Sequence, residues 1–80
     1  MSTAERQLMY HARRTFSRFV AALNRRDSYE LELNDADRRV TAERKGTLSR
    51  RLAALQQEID GYEAELTRIE RRLQRFEMAA

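Results

Sequence analysis

Few residues in the 80-residue chain are of a type that could do chemistry. His11 is the only histidine, and there is no cysteine to act as a nucleophile or as part of a zinc site. No glycine-rich phosphate loop, Gly-x-Ser-x-Gly or His-Glu-x-x-His pattern occurs. A lone histidine at the edge of a helix is typical of a surface side chain. We therefore expect no catalytic residue, no bound metal, no cofactor and no enzymatic activity.

Four acidic residues form the other cluster of interest, around residues 30–37. Glu30, Glu32, Asp35 and Asp37 would lie close together near a turn. They suit a solvated turn whose carboxylates cap a helix. Two functional interpretations stay open, a weak site for a divalent ion and an acidic segment that a partner recognises. The spacing does not match an EF-hand calcium loop.

The elements that carry these residues are predicted to be helices. The chain has no proline, two glycines and 36% charged residues, a composition typical of long helices and coiled coils. No apolar segment approaches the roughly 20 residues that span a bilayer, and the N-terminus lacks the features of a signal peptide. We expect an all-α cytoplasmic protein of a single domain, without a membrane partner.

The positive charge is concentrated at the N-terminal end. Residues 1–26 hold six arginines and one acid, whereas residues 27–46 have an acidic excess and residues 47–80 are balanced. Arginine outnumbers lysine 15 to 1. A GC-rich genome would explain this bias, and so would selection for bidentate contacts with carboxylates or phosphates.

A first amphipathic helix is predicted over residues 3–26. Ser2 and Glu5 have the spacing of a capping box. At about 100° per residue, an apolar arc contains Leu8, Met9, Ala12, Phe16, Phe19, Val20 and Leu23. The other side carries arginines that form a candidate face for an anionic partner: Arg6, Arg13, Arg14, Arg18 and Arg25.

A turn is predicted over residues 27–34, followed by a long helix over residues 35–77. Residues 29–33 also alternate like a strand, but the chain offers no second strand to pair with it. Gly46 follows Arg44 and Lys45 as at a helix end. We favour a continuous helix, because an exposed glycine costs only about 1 kcal/mol relative to alanine.

The strongest pattern is a heptad stripe in the long helix. Its apolar residues alternate four and three apart without interruption: Leu48, Leu52, Leu55, Ile59, Tyr62, Leu66, Ile69, Leu73 and Phe76. This repeat predicts packing against another helix. Leu8, Phe16, Phe19 and Leu23 of the first helix are the predicted counterpart, within one chain or between two.

The charges beside the heptad stripe bear on what it packs against. A parallel, in-register pair of these helices would oppose Glu58 to Glu63 and Glu65 to Glu70. The arginine-flanked first helix is a better match for these glutamates. We therefore predict a helical hairpin with a long C-terminal coiled-coil helix, which dimerises into a helical bundle.

The expected function is that of a non-enzymatic interaction protein. An adaptor, an inhibitor or an assembly chaperone of the kind found in bacteria and phages would bind a partner protein through such helical surfaces. The alternative is a regulator that binds nucleic acid through the basic face of the first helix. A third option, binding to a membrane surface, is disfavoured because the heptad stripe can cover the apolar side chains of the first helix.

Overall fold

The computed structural model describes residues 2–35 and 40–79. Two α-helices account for almost all of them, α1 (Thr3–Asn34) and α2 (Ala42–Ala79). Contacts of His11 with Glu65 and of Glu32 with Arg44 show that the helices are antiparallel. The hairpin measures 59 × 16 × 15 Å. The predicted all-α helical hairpin is thus confirmed.

Both helices begin at a hydroxyl side chain that satisfies free backbone amides. The backbone N–H of Glu5 donates to Ser2 Oγ at 3.1 Å, and the Glu5 carboxylate returns to the Ser2 amide, which completes the predicted capping box. Thr41 does the same for α2, where its Oγ1 accepts from the backbone N–H of Arg44 at 3.1 Å.

The prediction of a turn over residues 27–34 is wrong, because α1 continues to Asn34. Local and tertiary contacts support this extension. Arg26 lies 3.9 Å from Glu30 one turn on, and Tyr29 packs against the core. The Glu32 carboxylate reaches Arg44 of α2 at 2.9 Å. The chain therefore reverses direction between Asn34 and Ala42, and the long helix begins at residue 42 instead of 35.

The second helix runs through both of its glycines without a break. Gly46 and Gly61 lie inside α2, and no glycine among the described residues has a positive φ. A Cβ built on Gly61 would meet nothing within 4 Å, so no close packing requires a glycine there. The alternative of a helix end at Gly46 is excluded.

The heptad stripe of α2 faces α1 along its whole length. Leu48, Leu55, Ile59 and Ile69 are buried, and the other five residues of the stripe are half-buried. The α1 residues that meet it are also spaced four and three apart, and we call them the α1 contact row: Leu8, Ala12, Thr15, Phe19, Ala22, Arg26, Tyr29 and Leu33. Ala22 is fully buried beside Leu55 and Ile59. Small residues in this row allow close approach of the two helices.

Candidate interaction surface

One flank of the hairpin is joined by polar contacts between the helices. The imidazole of His11 lies 2.9 Å from the Glu65 carboxylate, and Arg25 lies 3.5 Å from Glu58. Near the turn, the guanidinium of Arg51 lies 5.9 Å from the ring centre of Tyr29. These groups come from both helices, and they fix the register of α1 on α2 along this flank.

Two side chains of this flank have altered acidity. Hydrogen bonds from Arg68 and then from His11 stabilise the Glu65 carboxylate and lower its pKa. The Tyr62 hydroxyl donates to Glu58 at 2.8 Å, and this bond to the neutral phenol raises the pKa of Tyr62. Both groups are at the surface, so the network orients the helices and does not create a buried catalytic site.

Within the described residues, His11 and Glu65 form a hydrogen-bonded pair of an imidazole and a carboxylate. The side chains are 53% and 34% exposed and lie on an open flank. Within residues 2–35 and 40–79, no three histidine, cysteine or acidic side chains are grouped as a metal site would require. No helix in the same segments combines the length and apolar character that a membrane crossing needs.

The opposite flank of α1 carries apolar side chains that α2 does not cover. We call this the open face and define it as Met9, Phe16, Val20 and Leu31, which lie within about 60° of one another at 100° per residue. Phe16 is 56% exposed, Val20 37% and Leu31 73%. Met9 is half-buried. Phe16 leans on Phe19 of the contact row, with ring centres 6.4 Å apart.

The predicted packing residues of α1 divide between the contact row and the open face. Leu8 is buried and Phe19 is half-buried in the contact row, and Leu23 packs at its edge against the core cluster. Phe16 lies outside the contact between the two helices. The row that α1 turns toward α2 includes Thr15 and Ala22, whose small buried side chains permit close packing.

The predicted basic face is not one continuous surface. Its five arginines are all exposed: Arg6, Arg13, Arg14, Arg18 and Arg25. By helical spacing, Arg14, Arg18 and Arg25 follow the polar flank, whereas Arg13 lies in the arc of the open face and Arg6 lies beside it. Arg25 pairs with Glu58, and Arg14 lies over the ring of Tyr10 at 5.9 Å.

Sequence reasoning missed Thr15, Ala22 and Arg26 as contact residues and Leu31 as an exposed one. A signal for the first group existed, since the four-three spacing continues from Leu8 through Leu33 in the same rhythm as the heptad stripe. The signal was obscured because four positions of that row are small or charged, namely Ala12, Thr15, Ala22 and Arg26. The exposure of Leu31 depends on the extension of α1 beyond residue 26.

Comparison with protein-family models, with curated proteins and with solved structures gives no significant match to this chain.

Proposed function

We propose that this protein is a non-enzymatic helical interaction protein that binds a partner protein through the open face of α1. It would act in the cytoplasm as a small adaptor, inhibitor or assembly chaperone. The observation that carries the proposal is the exposure of Phe16, Val20 and Leu31 at helical spacing on a chain that uses its heptad stripe internally. Covering a large apolar side chain fully contributes on the order of 1.5–3 kcal/mol.

The position of these residues favours recognition of another helix. A row of apolar side chains spaced by whole turns matches the groove-and-ridge surface of a helix. The row lies on a helix that is capped by Ser2 and braced by α2, so it is held in place before binding. A rigid surface loses little conformational entropy when a partner docks.

The charged side chains with the closest contacts in the described part of the chain hold the two helices together. His11 and Glu65 are used to join the helices, and the acids of the turn region include Glu32, which pairs with Arg44. The charged groups with the closest contacts are thus engaged in holding the hairpin together.

Site-specific photo-cross-linking would test the proposal. Phe16 is replaced by a photoreactive benzoyl-phenylalanine, and the matched control carries the same group at Tyr10, an aromatic residue that is 63% exposed but lies off the open face. We expect a protein adduct from position 16 and little or none from position 10. The adduct should disappear when Val20→Ser and Leu31→Ser are added. Absence of any adduct from position 16, in purified protein and in bacterial lysate, would refute the proposal.

Nucleic-acid binding is the second candidate, because Arg6, Arg13 and Arg18 are exposed and have no ion pair with another described residue. The division of the arginines between two flanks makes a continuous phosphate-binding track shorter than the sequence indicates. An electrophoretic shift of duplex DNA or RNA at low salt, lost on raising the salt, would support this role. If micromolar protein produced no shift, the nucleic-acid-binding role would be refuted.

A further inference from the structure

The arc of the open face contains charged residues as well as apolar ones, with a base toward one end and an acid toward the other. Arg13 falls in the same arc near its N-terminal end, and Asp27 falls in it near the C-terminal end. Both are exposed; Arg13 has no ion pair with a described residue, and Asp27 lies 3.8 Å from its neighbour Arg26 with its side chain still 62% exposed. The arc thus presents a basic part, an apolar centre at Val20 and an acidic part.

This order is symmetric about Val20. Met9 and Leu31 lie eleven residues to either side, about 16 Å along the helix axis, and Arg13 and Asp27 lie seven residues to either side, about 10 Å. A twofold axis perpendicular to a helix brings residues at equal distances from it face to face. Met9 would then meet Leu31, and Arg13 would meet Asp27, whereas Phe16 would lie beside the partner's Asn24.

We infer that the open face docks a second copy of this chain, with the two α1 helices antiparallel and the twofold axis at Val20. Met9 then lies opposite the partner's Leu31, and Arg13 lies opposite the partner's Asp27. The inference rests on the proposed function, because it names the partner of the same face. The product is a four-helix assembly in which the α1 helices form the contact between two hairpins.

The total exposed area of the hairpin leaves room for an interface of standard size. A compact monomer of 9.5 kDa exposes about 5,000 Å². The hairpin exposes 6408 Å², because two packed helices have a large surface for their mass. The excess is larger than the roughly 800 Å² that each partner contributes to a standard stable interface. Burial of the open face would remove part of this excess.

The heptad stripe of α2 is unavailable for the same purpose. All nine of its residues are already buried or half-buried against α1. A dimer built on that stripe would require the hairpin to open and lose its core around Ala22 and Ile59. The α1 face needs no such rearrangement, and it offers matched charges that a parallel pair of α2 helices lacks.

Charge reversal tests this arrangement in the full-length protein. Light scattering should give twice the 9.5 kDa chain mass for the wild type. In the proposed dimer, residue 13 of each chain faces residue 27 of the other. Arg13→Asp therefore opposes two acids at both contacts, and Asp27→Arg opposes two bases at both contacts. Each should weaken self-association by at least about tenfold. An equimolar mixture of the two variants should associate again as a heterodimer, because both of its contacts are then attractive.

The matched control is Arg14→Asp, which makes the same charge change one residue away on another side of α1. It should leave the dimer intact, and circular dichroism should show that all three variants keep their helices. A weakened dimer in the mixture as well as in the single variants would overturn the inference. So would equal weakening by Arg14→Asp.

An introduced cysteine locates the twofold axis independently. The native chain has no cysteine, so Val20→Cys would be the sole thiol. A residue on the axis meets its own copy, and we expect rapid formation of a disulfide-linked dimer. Ala21→Cys, also exposed, should form it far more slowly. Equal rates would overturn the arrangement at Val20.

Failure of the inference can be told apart from failure of the proposed function. A chain that is monomeric at about 100 µM, yet yields a cross-link to a different protein from position 16, would refute the homodimer and support the function. A dimer that neither charge reversal nor Val20→Cys affects would use another face and would refute the inference. A monomer without any cross-link would refute both.

Discussion

The Glu65 carboxylate contacts both Arg68 of its own helix and His11 of α1. Its pKa is lowered by hydrogen bonds from Arg68 and His11, so it contributes stability above its unfolded pKa and loses it as the pH falls through the folded pKa. We predict that Glu65→Gln lowers the melting temperature at neutral pH. The difference from wild type should shrink as the pH falls through the titration range of glutamate, as measured by thermal unfolding.

The matched control for this prediction is Glu63→Gln, two residues before Glu65. Glu63 is exposed, and its side chain makes no ion pair with a described residue. The melting curve of this variant should follow the wild type between about pH 7 and pH 3. A difference for Glu65→Gln that is constant over that range would contradict an electrostatic origin.

The partners of individual side chains were the part of this site least open to prediction from sequence. His11 was expected at a helix edge, and it lies there, 53% exposed. Its contact with Glu65 depends on the axial register of the two helices, which is set by many packing contacts together. Composition and spacing within one helix do not specify that register.

At the scale of elements, the sequence correctly predicted that the chain is helical and that the heptad stripe of α2 packs against another helix. Both predictions rest on long periodic patterns. The position of the turn was not predicted correctly. Asp27 and Ser28 resemble the start of a new helix, yet α1 continues past them, where Tyr29 packs against the core and Glu32 contacts Arg44 of α2. Tertiary contacts outweigh a local capping preference of about 1 kcal/mol.

The face that α1 turns toward α2 was also hard to predict. At 100° per residue, the predicted apolar arc is centred between the contact row and the open face, so hydrophobicity alone does not choose between them. The structure packs the row that contains Thr15 and Ala22, whose small side chains bring the helices close and place Arg25 beside Glu58. In this rotation, close packing at Thr15 and Ala22 occurs together with an ion pair at the flank.

The continuity of α2 leads to a prediction about its two glycines. Gly61 is exposed inside the helix, and a Cβ there would meet no neighbour, so Gly61→Ala should raise the free energy of unfolding by about 1 kcal/mol. At Gly46 a Cβ would lie 3.5 Å from the flexible end of Arg50, an ordinary contact, and Gly46→Ala should have a similar effect. Chemical denaturation measures both.

Gly61→Ser provides the graded comparison for this prediction, because serine is intermediate between glycine and alanine in helix propensity. The free energy of unfolding of Gly61→Ser should fall between those of the wild type and of Gly61→Ala. Loss of stability for Gly46→Ala, with a gain for Gly61→Ala, would mean that α2 needs a glycine at residue 46 to bend.

For the whole molecule, the decisive property is its elongated shape with little interior. Two fully buried large side chains, Leu48 and Ile59, anchor the described part of the core. A domain of this size gains limited stability from its own core, so association is a common means of completing it. The open face lies along the length of the hairpin, so the proposed association is lateral.

Small-angle X-ray scattering would measure this lateral geometry. The twofold axis at Val20 lies near the middle of α1 (Thr3–Asn34), so the two hairpins overlap over most of their 59 Å length. With neighbouring helix axes about 10 Å apart, the radius of gyration should rise by only about 1–2 Å from the 17.9 Å of one hairpin, while the scattering mass doubles. Arg13→Asp should return the mass to that of one chain. A doubled mass with a radius of gyration near 35 Å would indicate end-to-end association of 59 Å rods and would contradict docking through the open face.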